Sequence, residues 1–146
     1  LQTLGHYALE TGWLEGAIAA FDRIVDEQEP NYETYNIRAV AYLRTGEMER
    51  ARKDLNRAIA KDPARPEAFN NMAMTYVHDK AYRDAATYFL HATKVEPSFH
   101  VSLLNAAVVY GQHLESGTLA TRLAREYLDR GGIFQSQMII EWLGQI

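Results

Sequence analysis

The sequence predicts an all-α solenoid of stacked helical hairpins, and three observations carry that reading. The first is a fixed period. Tyr35, Ala39, Tyr42, Gly46, Ala51, Leu55, Ala58 and Pro63 are answered 34 positions later by Phe69, Ala73, Tyr76, Lys80, Ala85, Phe89, Ala92 and Pro97, while Gly5, Ala8, Gly12, Ala17, Phe21 and Ile24 stand one period upstream. A period of this length marks units that bury their apolar faces against neighbours rather than within themselves. The second is spacing inside the unit: within residues 35–44 and again within 51–60, apolar positions recur three, four and seven apart, one face of a helix each time. The third is punctuation. Gly46 falls where a helix end needs a residue tolerant of positive φ, and Pro63 falls where the second helix must stop for want of an amide donor.

Each element follows in order. The first hairpin is expected over about 1–9 and 14–26, with Thr11 and Gly12 between. Trp13 opens its second helix and covers core at the end of the stack, and the run Asp26-Glu27-Gln28-Glu29 is a solvated helix end whose carboxylates oppose the helix dipole. The second hairpin spans about 31–44 and 47–60 with Asn31 as N-cap, and Arg50, Arg52, Lys53, Arg57 and Lys61 give its outer helix a solvated convex face. The third spans about 65–78 and 81–94. Lys80 replaces the turn glycine, so Asp79 or Lys80 must adopt the left-handed conformation, which Asp tolerates better. The fourth, about 99–111 and 116–129, contains one extra residue before Ala120, and Ala124 stands where Leu55 and Phe89 stood, which predicts a longer loop and an emptier pocket. Gly131 and Gly132 end that helix. A last segment from about 134 to 145 places Met138, Ile139, Trp142, Leu143 and Ile146 at helical spacing, a capping helix whose Phe134 or Trp142 would fill the space beside Ala124.

On these landmarks the chain resembles the tetratricopeptide repeat (TPR) family, whose unit is a 34-residue helical hairpin. The resemblance implies one domain over 1–146: a right-handed superhelix of about four repeats (about 1–30, 31–64, 65–98 and 99–130) and a capping helix over about 133–146. It also implies a binding module rather than an enzyme, with the first helix of each hairpin lining the concave side.

Composition agrees. With 47% hydrophobic and 23% charged residues the chain can bury a core. A net charge of -4 with interspersed signs provides no basic field for nucleic acid or an anionic membrane. There are no cysteines, hence no disulfide or thiolate chemistry. No apolar run is long enough to span a bilayer, and because Leu1 falls on the fourth position of the repeat pattern, the sequence reads as a piece of something longer. The five histidines include no pair three or four apart, carboxylate pairs such as Asp22 and Asp26 read as solvated surface, and no Gly-rich phosphate loop occurs. No catalytic residue, metal or cofactor is expected.

What remains is a surface. The family's ligand-facing positions correspond here to Gln2, Thr3 and His6; to Glu33, Asn36, Ile37 and Val40; to Glu67, Asn70, Asn71 and Met74; and to Val101, Leu104, Asn105 and Val108. Asparagine offers both donor and acceptor, so Asn36, Asn70, Asn71 and Asn105 can bond a bound backbone while Ile37, Val40, Met74, Val101, Leu104 and Val108 take apolar side chains. The Lys/Arg set with which some TPR proteins clamp a C-terminal carboxylate is missing, and Glu33 and Glu67 would repel one. The expected partner is a protein or peptide in the concave groove. The alternative is an assembly module that self-associates through its terminal repeats or capping helix, forming a homo-oligomer.

The tail from Asn105 to Leu143, with Asn-Ala-Ala-Val-Val-Tyr-Gly, Leu-Ala-Arg-Glu-Tyr-Leu and a final apolar run, is similar to TPR lipoproteins of bacterial tight-adherence (Tad) pilus assembly. That resemblance implies a role in pilus or secretion assembly in the periplasm or at the outer membrane, with a lipid anchor upstream. Without it the expected compartment is the cytoplasm.

Overall fold

A computed structural model describes residues 1–133. Eight helices occupy them: α1 (Gln2–Glu10), α2 (Leu14–Glu27), α3 (Tyr32–Thr45), α4 (Met48–Lys61), α5 (Pro66–His78), α6 (Tyr82–Val95), α7 (His100–Gln112) and α8 (Gly117–Asp129). Among the described residues there is no strand. The expected capping helix, with Phe134, Met138 and Trp142, lies outside them.

Helices pair as α1/α2, α3/α4, α5/α6 and α7/α8, and each even helix also packs on the next odd one. The odd helices α1, α3 and α5 touch along the stack, whereas no contact of similar extent joins successive even helices. Closer spacing on one side of a two-layer stack curves it, so the odd helices lie on the inner face.

Alanine makes this packing possible. Ala8, Ala17, Ala39, Ala51, Ala58, Ala73, Ala85 and Ala92 are fully buried at helix contacts, with Phe21, Leu55 and Phe89 filling the adjoining space. Gly5 serves the same end, since a Cβ there would meet the Phe21 ring 2.6 Å away. Local signals set the boundaries. Asn31 Oδ1 accepts the Thr34 amide at 3.0 Å, Pro66 presets φ in the first turn of α5, and Gly46 takes φ +84° after α3.

Three expectations need correction. In the third turn it is Lys80, at φ +60°, that enters the left-handed region while Asp79 stays at φ -81°. Repeat register decides this, because Lys80 is the counterpart of Gly46, and side-chain tolerance does not move the turn. Second, the fourth hairpin is not emptied at Ala124. With the extra residue counted, Tyr127 takes the place of Ala92, is buried, and lays its ring on Gly132, so large and small positions have exchanged along α8.

Third, Asp22 and Arg52 are not plain solvated surface. Arg38 is buried on α3 and grips Asp54 with two bonds of 2.6 and 2.8 Å, and a third bond of 2.7 Å reaches Asp22 on α2. Arg52 is largely covered and joins Glu49 at 2.6 Å to Asp79 at 2.7 Å, its guanidinium over the Tyr76 ring. A charge inside a stack must be paired or it costs several kcal/mol, roughly. Arg38 occupies the register of Met72, so one partner from its own hairpin and one from the preceding hairpin satisfy it.

Candidate groove on the inner helices

The inner face is organised by paired asparagines. Asn71 Nδ2 donates to Asn36 Oδ1 at 3.0 Å, and one level on Asn105 Nδ2 donates to Asn70 Oδ1 at 3.1 Å. Ser102 Oγ, fully buried, donates to the same Asn70 oxygen at 3.0 Å. Both rungs join residues 35 apart, one more than the repeat, because a residue on one inner helix meets the flank of the next rather than its exact counterpart. Asn36 and Asn70 share one register and Asn71 and Asn105 the next. Ile37 and Leu104 hold the corresponding places at the two ends, so the ladder has two rungs with an aliphatic residue closing each end.

Each rung uses one carbonyl and one amino group. The amino groups of Asn36 and Asn70 and the carbonyls of Asn71 and Asn105 have no bond to any other described residue. A rung therefore presents one donor and one acceptor, the complement of a peptide unit. Beside them Met74, Val101 and Val108 are exposed at 42–43%, and Val40 is half-buried.

Two of the expected ligand-facing residues do not face the groove. Ile37 is buried against Phe21 and Ile24 of the preceding hairpin, and Leu104 is buried in the core between the third and fourth hairpins. Each turns to the flank that its neighbour covers. Asn36 is itself buried, and only its amide edge is available.

A basic residue does reach this face, and the inner-helix positions alone miss it. Arg65, just before α5, bonds Glu33 at 3.0 Å and Glu67 at 3.1 Å while its guanidinium lies 4.1 Å over the Tyr32 ring. Burial works against ionisation of Glu67, but the bond and charge of Arg65 outweigh it and hold the carboxyl below its ordinary range. Burial pushes the Tyr32 hydroxyl well up, which keeps it protonated to donate to Glu67 while it accepts the Ala68 amide at 2.9 Å. Two carboxylates share one guanidinium here, so this end of the groove stays acidic. Among the described residues no cluster of His, Cys, Asp and Glu could hold a metal, and no helix is long and apolar enough to cross a membrane.

A family profile described as tetratricopeptide repeat matches residues 3–66. No curated protein sequence matches the chain. Among solved structures, one of MamA superposes with a TM-score of 0.81 at 20% identity, covering 88% of this chain and 74% of that one. YrrB, described as a TPR protein with an unusual peptide-binding site, superposes with a TM-score of 0.77 at 16% identity over 97% of this chain and 71% of its own. A mutant O-GlcNAc transferase from Thermobaculum terrenum gives 0.79 at 21% identity, but this chain spans only 25% of it. At these identities the likeness is one of fold, and it agrees with the hairpins, their period and the inner layer. Residues 3–66 thus match the tetratricopeptide repeat family, and the described chain has the helical-hairpin fold of the solved structures it resembles.

Proposed function

We propose that the chain is a non-catalytic scaffold whose inner face binds an extended segment of a partner protein. The two asparagine rungs carry this reading: each leaves a donor and an acceptor at the surface beside exposed aliphatic side chains. A helical ligand has already spent its backbone groups, whereas an extended one presents them unpaired. Met74, Val101 and Val108 would reward its apolar side chains at about 25 cal/mol per Å² buried. The description of YrrB as peptide-binding supports the class of function, on that protein's account. Glu33 and Glu67 outnumber Arg65, so a free carboxylate terminus is not the favoured ligand, and nucleic acid finds no basic field.

Peptides selected from a random displayed library against the intact chain test this. Binding should fall at least tenfold, roughly, with Met74→Asp, survive Lys53→Glu on the outer face, and change little when the peptide C-terminus is amidated. Equal loss with both substitutions, or none with either, would reject the inner face as the site.

A place in bacterial pilus or secretion assembly, in the periplasm or at the outer membrane, is the finer proposal, supported by the likeness of the tail from Asn105 to Leu143. Fractionation of cells expressing the whole protein tests it, and a cytoplasmic pool alone would contradict it. Self-association is the competing role, and a concentration-dependent mass in solution would favour it.

A further inference from the structure

The two asparagine rungs repeat in the same sense. In each, the asparagine of the later helix donates and that of the earlier helix accepts, Asn71 to Asn36 at 3.0 Å and Asn105 to Asn70 at 3.1 Å. Ser102 takes the second lone pair of the Asn70 oxygen at 3.0 Å, so the second rung can accept a ligand bond only through Asn105. At both levels the free amino group thus lies on the earlier helix and the free carbonyl on the later one. Asn36 is only 8% exposed, with its unbonded amino group at the groove edge.

The apolar row keeps the same step. Val40, Met74 and Val108 stand 34 residues apart, one turn beyond the asparagines on α3, α5 and α7. One rung and one apolar contact therefore recur per hairpin, in the second, third and fourth hairpins.

A ligand that makes the same bonds at both rungs must itself repeat once per hairpin. Inner helices close enough for their asparagines to bond have axes about 8–10 Å apart. A β-strand repeats at two residues, about 6.6 Å, and next at four, about 13 Å, so a strand in register with one rung is out of register with the other. A polyproline II helix repeats every three residues, at about 9.3 Å, and leaves its backbone groups unpaired.

We propose, resting on the inner-face reading above, that the partner segment binds as a polyproline II helix with an apolar residue at every third position. Each hairpin then reads three residues: a rung bonds backbone N–H and C=O groups once, and the row of Met74 takes one side chain. Proline lacks the N–H, so it fits at positions that miss a rung and is excluded from the one that meets it. Prolines at the permitted positions preset the conformation and lower the cost of ordering the ligand.

The test titrates the intact chain with two synthetic peptides of equal length, a Leu-Ala-Pro repeat and an alternating Leu-Thr repeat. The first should bind at least tenfold more tightly, roughly, and should lose binding with Met74→Asp but not with Lys53→Glu. Two derivatives of it, one N-methylated at the leucines and one at the alanines, should differ: one binds and the other does not, because one N–H in every three residues meets a rung. A Leu-Thr repeat that binds as tightly, and is still lost with Met74→Asp, would overturn the three-residue period while leaving the inner face as the site. Binding by both methylated derivatives, or by neither, would also overturn it. So would failure of both repeats, and library-selected peptides that still depend on Met74 would then show the inner-face reading standing without it. A Leu-Ala-Pro repeat whose binding survives Met74→Asp would reject the inner-face reading and this inference together.

Discussion

Asn71 gives its side-chain amide to the side-chain carbonyl of Asn36 across two successive inner helices, so each asparagine is held by the other while half of each remains free. The pair is a structural tie and a recognition unit at once. Asn71→Ala therefore leaves the buried Asn36 carbonyl without a partner and should cost about 1–3 kcal/mol of stability. Asn36→Ala added to it should cost less than the two single losses summed, since the first already broke the bond. Urea unfolding of the four proteins measures this, and strict additivity would mean that the bond contributes nothing.

Arg38 and Asp54 make a harsher case. Asp54 is 3% exposed, so Arg38→Met leaves a buried carboxylate with only the longer 3.4 Å bond from Arg57 and should cost about 3 kcal/mol. Removing both charges, with Arg38→Met and Asp54→Ala together, should recover much of that loss. Asp22 keeps solvent access and should tolerate the change. Thermal unfolding followed by circular dichroism decides it, and a double variant less stable than Arg38→Met alone would contradict the assignment.

Lys80 holds the left-handed conformation that Gly12 and Gly46 hold in the first two turns and Glu115 in the fourth. A lysine there is strained by about 1–2 kcal/mol, and glycine relieves the strain while adding freedom to the unfolded chain. Lys80→Gly should therefore stabilise by up to about 1 kcal/mol. A lower unfolding midpoint would show that the Lys80 side chain contributes to packing.

Acid should weaken the stack through named groups. The bond to Arg52, with a smaller one from His78, lowers the Asp79 pKa, and Arg65 lowers that of Glu67 despite burial. A carboxyl whose folded pKa is depressed adds stability above its unfolded value, and the addition is lost as pH falls through the folded one. The loss should thus set in below the ordinary values of 4.5 for Glu67 and 3.8 for Asp79. Arg65→Gln and Arg52→Gln should flatten that limb in a series of melts against pH.

The hairpins were legible because a period of 34 repeats every packing demand, and a chain that offers Ala51, Ala85 and their neighbours at one spacing leaves few other ways to pack. The groove was legible in part. The ligand-facing positions implied by the family resemblance pointed to the asparagines, but their pairing depends on a 35-residue offset that only the lateral shift between inner helices creates. The same shift turns Ile37 and Leu104 away from the groove into the core. Arg38 carried a readable signal, a charge in an otherwise apolar register, although its partners at positions 22 and 54 follow from three-dimensional stacking. Arg65 precedes its helix, so a search confined to inner-helix positions passes over it.

The central claim is that the free halves of the asparagine rungs read a partner's backbone. Side-chain amide resonances of Asn36, Asn70, Asn71 and Asn105 in a ¹⁵N-labelled sample report on it directly when a library-selected peptide is titrated in. The account predicts that the Asn36 and Asn70 amino signals shift most, with Met74, Val101 and Val108 methyl signals moving beside them. Shifts confined to the outer helices or to the first hairpin, with all four asparagine signals unmoved at saturation, would contradict it.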